Sequence, residues 1–215
     1  MKPSKNKLAF NKWSVSFSLI LLLLTASVTQ TYAQQSWEWG IKAGGNLMKI
    51  GGRSFDGKKY PGFSAGVWGK LNFSSKWSLQ PELDWNQTIA KTSEDFNSIY
   101  RGVSDQLVNL NYAALPILVS FKPNPWLAIL VGPQYSYLVT QTSGLLPQQP
   151  GKDAFNKSDL AIVFGGQVNF NKVLFGLRYQ AGLNNICFST TDTWRQYGFQ
   201  AYIGYQFGDN KLRKK

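Results

Sequence analysis

Six charged residues, Glu38, Lys42, Lys70, Glu82, Asp84 and Arg178, stand within segments that are otherwise apolar, small or neutral, and they are the chain's main candidates for chemistry. Glu82 and Asp84 are two apart, so an extended strand would place them on one face, as a carboxylate pair that could line a ligand or proton pathway. Lys70 and Arg178 could neutralise them. The chain has no histidine. Ser-His and Cys-His nucleophilic systems and histidine metal sites therefore cannot be built. Cys187 is the single cysteine, which permits no internal disulfide. Gly51-Gly52 and Gly165-Gly166 match no phosphate-cradling loop that opens a helix. The expectation is a protein that is not an enzyme and uses no cofactor or metal.

What must position these charges is clearest from Trp77 to Thr88. Trp77, Leu79, Pro81, Leu83 and Trp85 alternate with Ser78, Gln80, Glu82, Asp84, Asn86 and Thr88. A period of two is that of a β-strand with one greasy and one polar face. Tryptophans bracket the greasy face at about the span of a hydrocarbon layer, which a membrane strand of roughly 9 to 11 tilted residues crosses.

Seven more segments alternate in the same way. They are Trp37 to Leu47, Tyr60 to Phe73, Leu107 to Lys122, Trp126 to Gln141, Leu160 to Phe170, Val173 to Asn184 and Gln196 to Phe207. Connections are long and polar at Met48 to Lys59, Lys91 to Gln106 and Thr142 to Lys157. Between them lie the short turns Ser74-Ser75-Lys76, Lys122-Pro123-Asn124-Pro125 and Asn171-Lys172. An even strand number, short turns at one end, long loops at the other and an apolar exterior describe an outer-membrane barrel. The predicted fold is an all-β, eight-stranded antiparallel up-and-down transmembrane β-barrel over residues 34–208, in the outer membrane of a Gram-negative bacterium.

The front of the chain agrees with that destination. Lys2, Lys5, Lys7 and Lys12, the apolar run Val15 to Leu24 and Thr31-Tyr32-Ala33 have the order of a secretory signal peptide. Residues 1–33 are predicted to be cleaved, and 209–215 form a basic C-terminal tail. Without the leader's four lysines, 19 basic residues face 11 acidic ones, a net charge of +8. Those charges are spread over turns and loops with no basic helix or strand face, so nucleic acid is not an expected partner.

A barrel of eight strands has an interior only wide enough for side chains to fill, and buried charges must pair. Lys70, Glu82, Asp84 and Arg178 are accordingly predicted to form a structural plug, with Lys70 neutralising an acid on the neighbouring strand and Arg178 reaching across the lumen. Aromatics make up 15% of the chain and fall mostly near strand ends, as two interfacial girdles. In the loops only Phe55, Phe96, Tyr100, Phe155 and Phe188 appear, read as scattered singles, and Cys187 as an incidental small residue.

Six stretches, in matching order along nearly the whole mature chain, resemble the PorT-like outer-membrane β-barrel family common in Bacteroidetes. They are 40–47 (GIKAGGNL), 61–63 (PGF), 77–83 (WSLQPEL), 110–116 (LNYAALP), 132–133 (GP) and 175–179 (FGLRY). The sequence departs from the family pattern at Ala114, where members often carry an acidic residue. The resemblance implies a small outer-membrane barrel, and the family name points to a member linked with protein export. Expected partners are outer-membrane lipids and proteins met through the external loops or periplasmic turns. The competing reading is a soluble secreted barrel around a small apolar ligand, which needs an apolar lumen and a polar exterior.

Overall fold

The computed structural model describes residues 36–98, 104–141, 154–187 and 192–207. The predicted leader at 1–33, the tail at 209–215, most of the loop from Thr142 to Lys157, and the loop aromatics Tyr100 and Phe188 lie outside the described residues.

The described residues form β1 (Ser36–Gly51), β2 (Tyr60–Asn72), β3 (Trp77–Lys91), β4 (Leu107–Asn124), β5 (Leu127–Gln141), β6 (Ser158–Phe170), β7 (Val173–Gly182) and β8 (Arg195–Gln206). Each strand pairs antiparallel with its neighbour in the chain, and β1 pairs with β8, closing an eight-stranded up-and-down barrel. Closure leaves no strand edge exposed and satisfies backbone groups within the sheet, as a lipid surround requires. The period-two pattern sets which face is which. On β3, Trp77, Leu79, Leu83 and Trp85 are exposed, while Ser78, Gln80, Glu82, Asp84 and Asn86 are buried in the lumen. The other strands share this parity, with Leu83 56% and Leu177 58% exposed on the outside against 3% for Glu82 and 2% for Arg178 inside. A soluble barrel around an apolar ligand needs the reverse.

The short turns at Ser74-Ser75-Lys76, Pro125-Trp126 and Asn171-Lys172 lie at one end, with the start of β1 and the end of β8. In outer-membrane barrels that end faces the periplasm. Asn171 takes a left-handed φ of 52°, which its short polar side chain tolerates. Aromatic pairs mark this end: Trp39 against Phe207 and Trp77 against Phe121, both with ring centroids 4.7 Å apart.

Several boundaries differ from the sequence expectation, and each difference has a local cause. β4 runs through Lys122, Pro123 and Asn124 with a register shift after Phe121, so the tight turn falls one step later. Lys122 is held there because its backbone N–H donates to the Lys76 carbonyl at 2.7 Å and its ammonium donates to Asn72 Oδ1 at 2.8 Å. β7 stops at Gly182 because Asn184 leaves the ladder: its Oδ1 accepts from the Leu160 N–H at 2.7 Å and its Nδ2 donates to the Ser158 carbonyl at 3.0 Å. β1 and β3 continue beyond the predicted Leu47 and Thr88, to Gly51 and Lys91. At this end of the barrel the lumen face turns apolar, with Met48, Ile50 and Ala90 in the extensions and Val108, Leu110 and Leu138 on β4 and β5 all buried. The expectation of a polar interior therefore fails at the long-loop end.

Candidate functional site

The lumen is filled in layers. The central one is an ion-pair cluster built from β1, β3, β7 and β8. Arg178 grips Glu82 with two parallel hydrogen bonds, Nη1 to Oε2 and Nη2 to Oε1, both 2.6 Å. Lys42 donates to Glu82 Oε2 at 2.5 Å and to Asp84 Oδ2 at 2.8 Å. Gln80 Nε2 donates to Glu82 Oε1 at 2.7 Å. The Tyr202 hydroxyl accepts from Arg178 Nε at 3.0 Å and donates to Gln167 Oε1 at 3.1 Å, and its ring lies 4.4 Å from the guanidinium carbon. Two cations and two anions make the cluster neutral. Fork geometry plus further hydrogen bonds is the condition under which buried charges offset their desolvation.

Glycines make this reach possible. The pairing register aligns Lys42 with Gly66 and Gly66 with Asp84. A Cβ at Gly66 would stand 2.1 Å from Asp84 Oδ1, so the missing side chain is the gap across which Lys42 meets its acids. Gly176 does the same for Tyr202, whose ring occupies the place a Cβ would take.

The predicted cluster is thus brought together in part. Glu82, Asp84 and Arg178 meet, but Lys70 does not join them. Its ammonium is 4.0 Å from Glu38 Oε2 and 5.1 Å from the Trp68 ring centroid, in a second layer nearer the periplasmic end. Glu38 there accepts from Asn72 Nδ2 at 2.8 Å. The expectation that Lys70 neutralises Glu82 or Asp84 is corrected: Lys42 does so, because register and not proximity along the hairpin chooses the partner.

Above the ion pairs, Asn46, Asn86, Thr88, Gln134, Ser136 and Asp159 line a small polar cavity with room for about one water. Above that, the exterior loops close the mouth. Phe55, Phe96 and Phe155, read from sequence as scattered singles, converge on Trp194, with ring centroids 5.1, 5.4 and 5.2 Å away. Ile186 and Cys187 are buried in the same cluster, and Phe155 bridges Cys187 across the strand direction. Trp194 is completely buried. Its backbone N–H donates to Asn185 Oδ1 at 2.8 Å and its indole N–H to Asp192 Oδ2 at 3.0 Å. The first two loops are tied together beneath it by Ser93 N–H to the Ser54 carbonyl at 2.9 Å and Asp56 N–H to the Lys91 carbonyl at 3.0 Å.

Asp192 is a pH-sensitive pin in this cap. Burial pushes its carboxyl up, but hydrogen bonds from the Ser54 hydroxyl, the Trp194 indole and the Thr193 N–H outweigh it and hold the carboxyl below the usual range. A depressed folded-state pKa contributes stability above the unfolded value of about 3.9 and loses it as pH falls through the folded value. Pepsin should therefore cut the exterior loops progressively faster as pH drops below about 4, and Asp192→Asn should remove that pH dependence. A pH profile identical in the variant would show that Asp192 is no pin.

Comparison with known proteins matches this architecture. A family model described as "Outer membrane protein beta-barrel domain" matches residues 32–187. Among solved structures, Ail of Yersinia pestis is 17% identical, with a TM-score of 0.47, 79% of this chain covered and 98% of that one. Neisserial surface protein A is 14% identical, with a TM-score of 0.46 and coverages of 81% and 100%. OprG from Pseudomonas aeruginosa is 13% identical, with a TM-score of 0.46 and coverages of 82% and 99%. No curated protein sequence matches the chain. The closed eight-stranded barrel with its apolar exterior is a Gram-negative outer-membrane protein, and the chain belongs to the outer membrane protein beta-barrel domain family.

Proposed function

We propose that the protein is a non-enzymatic scaffold or partner-binding component of the outer membrane, of the PorT-like type, acting through its exterior loops or periplasmic turns. The observation that supports this reading is a lumen blocked twice, by the ion pairs around Glu82 and by the aromatic cap around Trp194. A barrel with no passage acts through its surfaces. The exterior surface is a set of loops braced against one another, with Lys58, Glu94 and Lys157 exposed on three of them. A link to protein export rests on the family resemblance alone. Photo-crosslinking residues placed at positions 58, 94 and 157 in living cells should yield discrete protein adducts from at least one exterior loop. Crosslinkers at these sites and in the periplasmic turns that capture only lipid would overturn the scaffold reading.

A further inference from the structure

The buried charges of the lumen do not balance. Among the described residues its buried cations are Lys42, Lys70 and Arg178, and its buried anions are Glu38, Glu82, Asp84 and Asp159. Lys42 and Arg178 neutralise Glu82 and Asp84, and Lys70 stands with Glu38. Asp159 is left over. It is 1% exposed, and no cation among the described residues comes within ion-pair distance of it. Lys122 also reaches toward the lumen, but at the periplasmic mouth, where it donates to Asn72. A buried carboxylate with no counter-charge is too costly to persist as such: it must take up a proton or hold a cation.

Asp159 lies at the other end, as the second residue of β6, and lines the polar cavity beneath the cap. The register sets it beside Ser136, Ser136 beside Ala114 and Ala114 beside Asp84, so Lys42 is committed to an acid three strands round the wall. The cavity is rich in oxygen. Asn46 Oδ1, Tyr112 Oη and Asp159 Oδ1 are buried in its lining without a hydrogen-bond partner, and Ser136 and Thr88 add hydroxyl oxygens. Gln196 Nε2 is the one unpartnered nitrogen of the lining. The Gln196 carbonyl accepts from Thr88 at 3.0 Å, and a half-turn of the amide would keep a hydrogen bond to Thr88 while presenting the oxygen instead.

We infer that this cavity binds a single alkali-metal cation, Na⁺ or K⁺, with Asp159 as its one charged ligand and the oxygens of Asn46, Tyr112 and Ser136 as neutral ones. A cation of charge +1 balances the buried charges of the lumen and gives the unpartnered oxygens a common partner. A proton on Asp159 would cancel the charge but would not fill the cavity. Ca²⁺ takes six to eight oxygens, usually from several carboxylates, and here one carboxylate would leave it half-neutralised. Zinc and its neighbours prefer histidine and cysteine, and the described residues hold no group of three His, Cys, Asp or Glu that could grip a metal. An organic ammonium is too large for a space of about one water. The inference rests on the lumen alone and is independent of the scaffold role.

The test uses the full chain purified in detergent and unfolded with urea in buffers of equal ionic strength containing NaCl, KCl or choline chloride, read by tryptophan fluorescence. A ligand held only by the folded chain raises the folding constant in proportion to its concentration above saturation, so each tenfold rise in the alkali ion, with choline making up the salt, should raise that constant about tenfold. Asp159→Asn keeps the side chain's shape and removes its charge. Its midpoint should be the same in all three salts, and in choline it should equal or exceed that of the wild type, because no unpaired carboxylate is then buried. Heat-dependent gel mobility verifies that the variant barrel is folded. Equal wild-type midpoints in alkali and choline salts would assign the cavity to a water or the carboxyl to a proton and overturn the cation site; so would an alkali effect that survives in Asp159→Asn. Crystals of the wild-type chain grown in rubidium chloride give a check that needs no variant. An anomalous peak is expected among Asn46, Tyr112, Ser136 and Asp159, and a cavity without one would overturn the site.

Discussion

Glu82→Gln is expected to lower the unfolding free energy of the refolded barrel by about 3–5 kcal/mol, the range measured when one partner of a buried ion pair is removed. The substitution keeps the side chain's shape and removes its charge. The amide keeps one acceptor oxygen, so Arg178 retains at most one of its two 2.6 Å hydrogen bonds, and the new NH2 group stands where Oε2 accepted from Lys42, which keeps only Asp84. Two buried cations would face one anion. The companion variant Lys42→Met should be comparably damaging, because it leaves Glu82 and Asp84 as neighbouring carboxylates with only Arg178 to balance them. Lys70→Met should cost less than Lys42→Met, since the Lys70 ammonium stands 4.0 Å from its one carboxylate partner, Glu38, which keeps the hydrogen bond from Asn72. Urea titrations in detergent followed by tryptophan fluorescence give the three midpoints. The reverse order, with Lys70→Met worse than Lys42→Met, would return Lys70 to the cluster and undo the assignment made here.

Trp194→Ala is the second large effect. Truncating a fully buried tryptophan costs about 3–5 kcal/mol in transfer and cavity terms, and Trp194 is the residue that Phe55, Phe96 and Phe155 all touch. The loss should stay local. Because the cap packs on Ile50, Ala90, Val108 and Leu110 at the strand ends but contributes no rungs to the ladders between them, the exterior loops should become protease-sensitive while the SDS-resistant, heat-modifiable barrel persists. A barrel that also loses heat modifiability would show that cap and strands form one cooperative unit.

The strands were legible because their signal is local. Period-two alternation from Trp77 to Thr88 states both that the segment is a strand and which face meets lipid, and it needs no knowledge of the partner strand. Pairing in the cluster is not local. The tight turn between β2 and β3 fixes Gly66 opposite Asp84, but the register of β1 against β2 depends on a long loop whose geometry the sequence does not state. Lys42 consequently stood in the list of inward charges without a partner, and Lys70, nearer along the hairpin, took its place. Gly66 was the available signal: a lumen-facing glycine that the tight turn sets opposite Asp84 marks a space another side chain crosses. The cap was the least legible part. Its rings come from the loops after β1, β3, β5 and β7, each alone in a polar stretch, and only closure of the barrel brings the loops together. Trp194 could have suggested it, since a tryptophan beside Asp192 and Arg195 in an exterior loop has no reason to remain in water.

The ion pairs and the cap both support the proposal that the lumen is blocked and that the protein acts through its surfaces. Planar-bilayer recording of the refolded full chain tests that claim most directly. No discrete, long-lived conductance is expected at neutral pH, in the wild type or in Trp194→Ala, because the ion pairs around Glu82 block the lumen beneath the cap. Stable, stepwise conductance from the wild-type protein would contradict it.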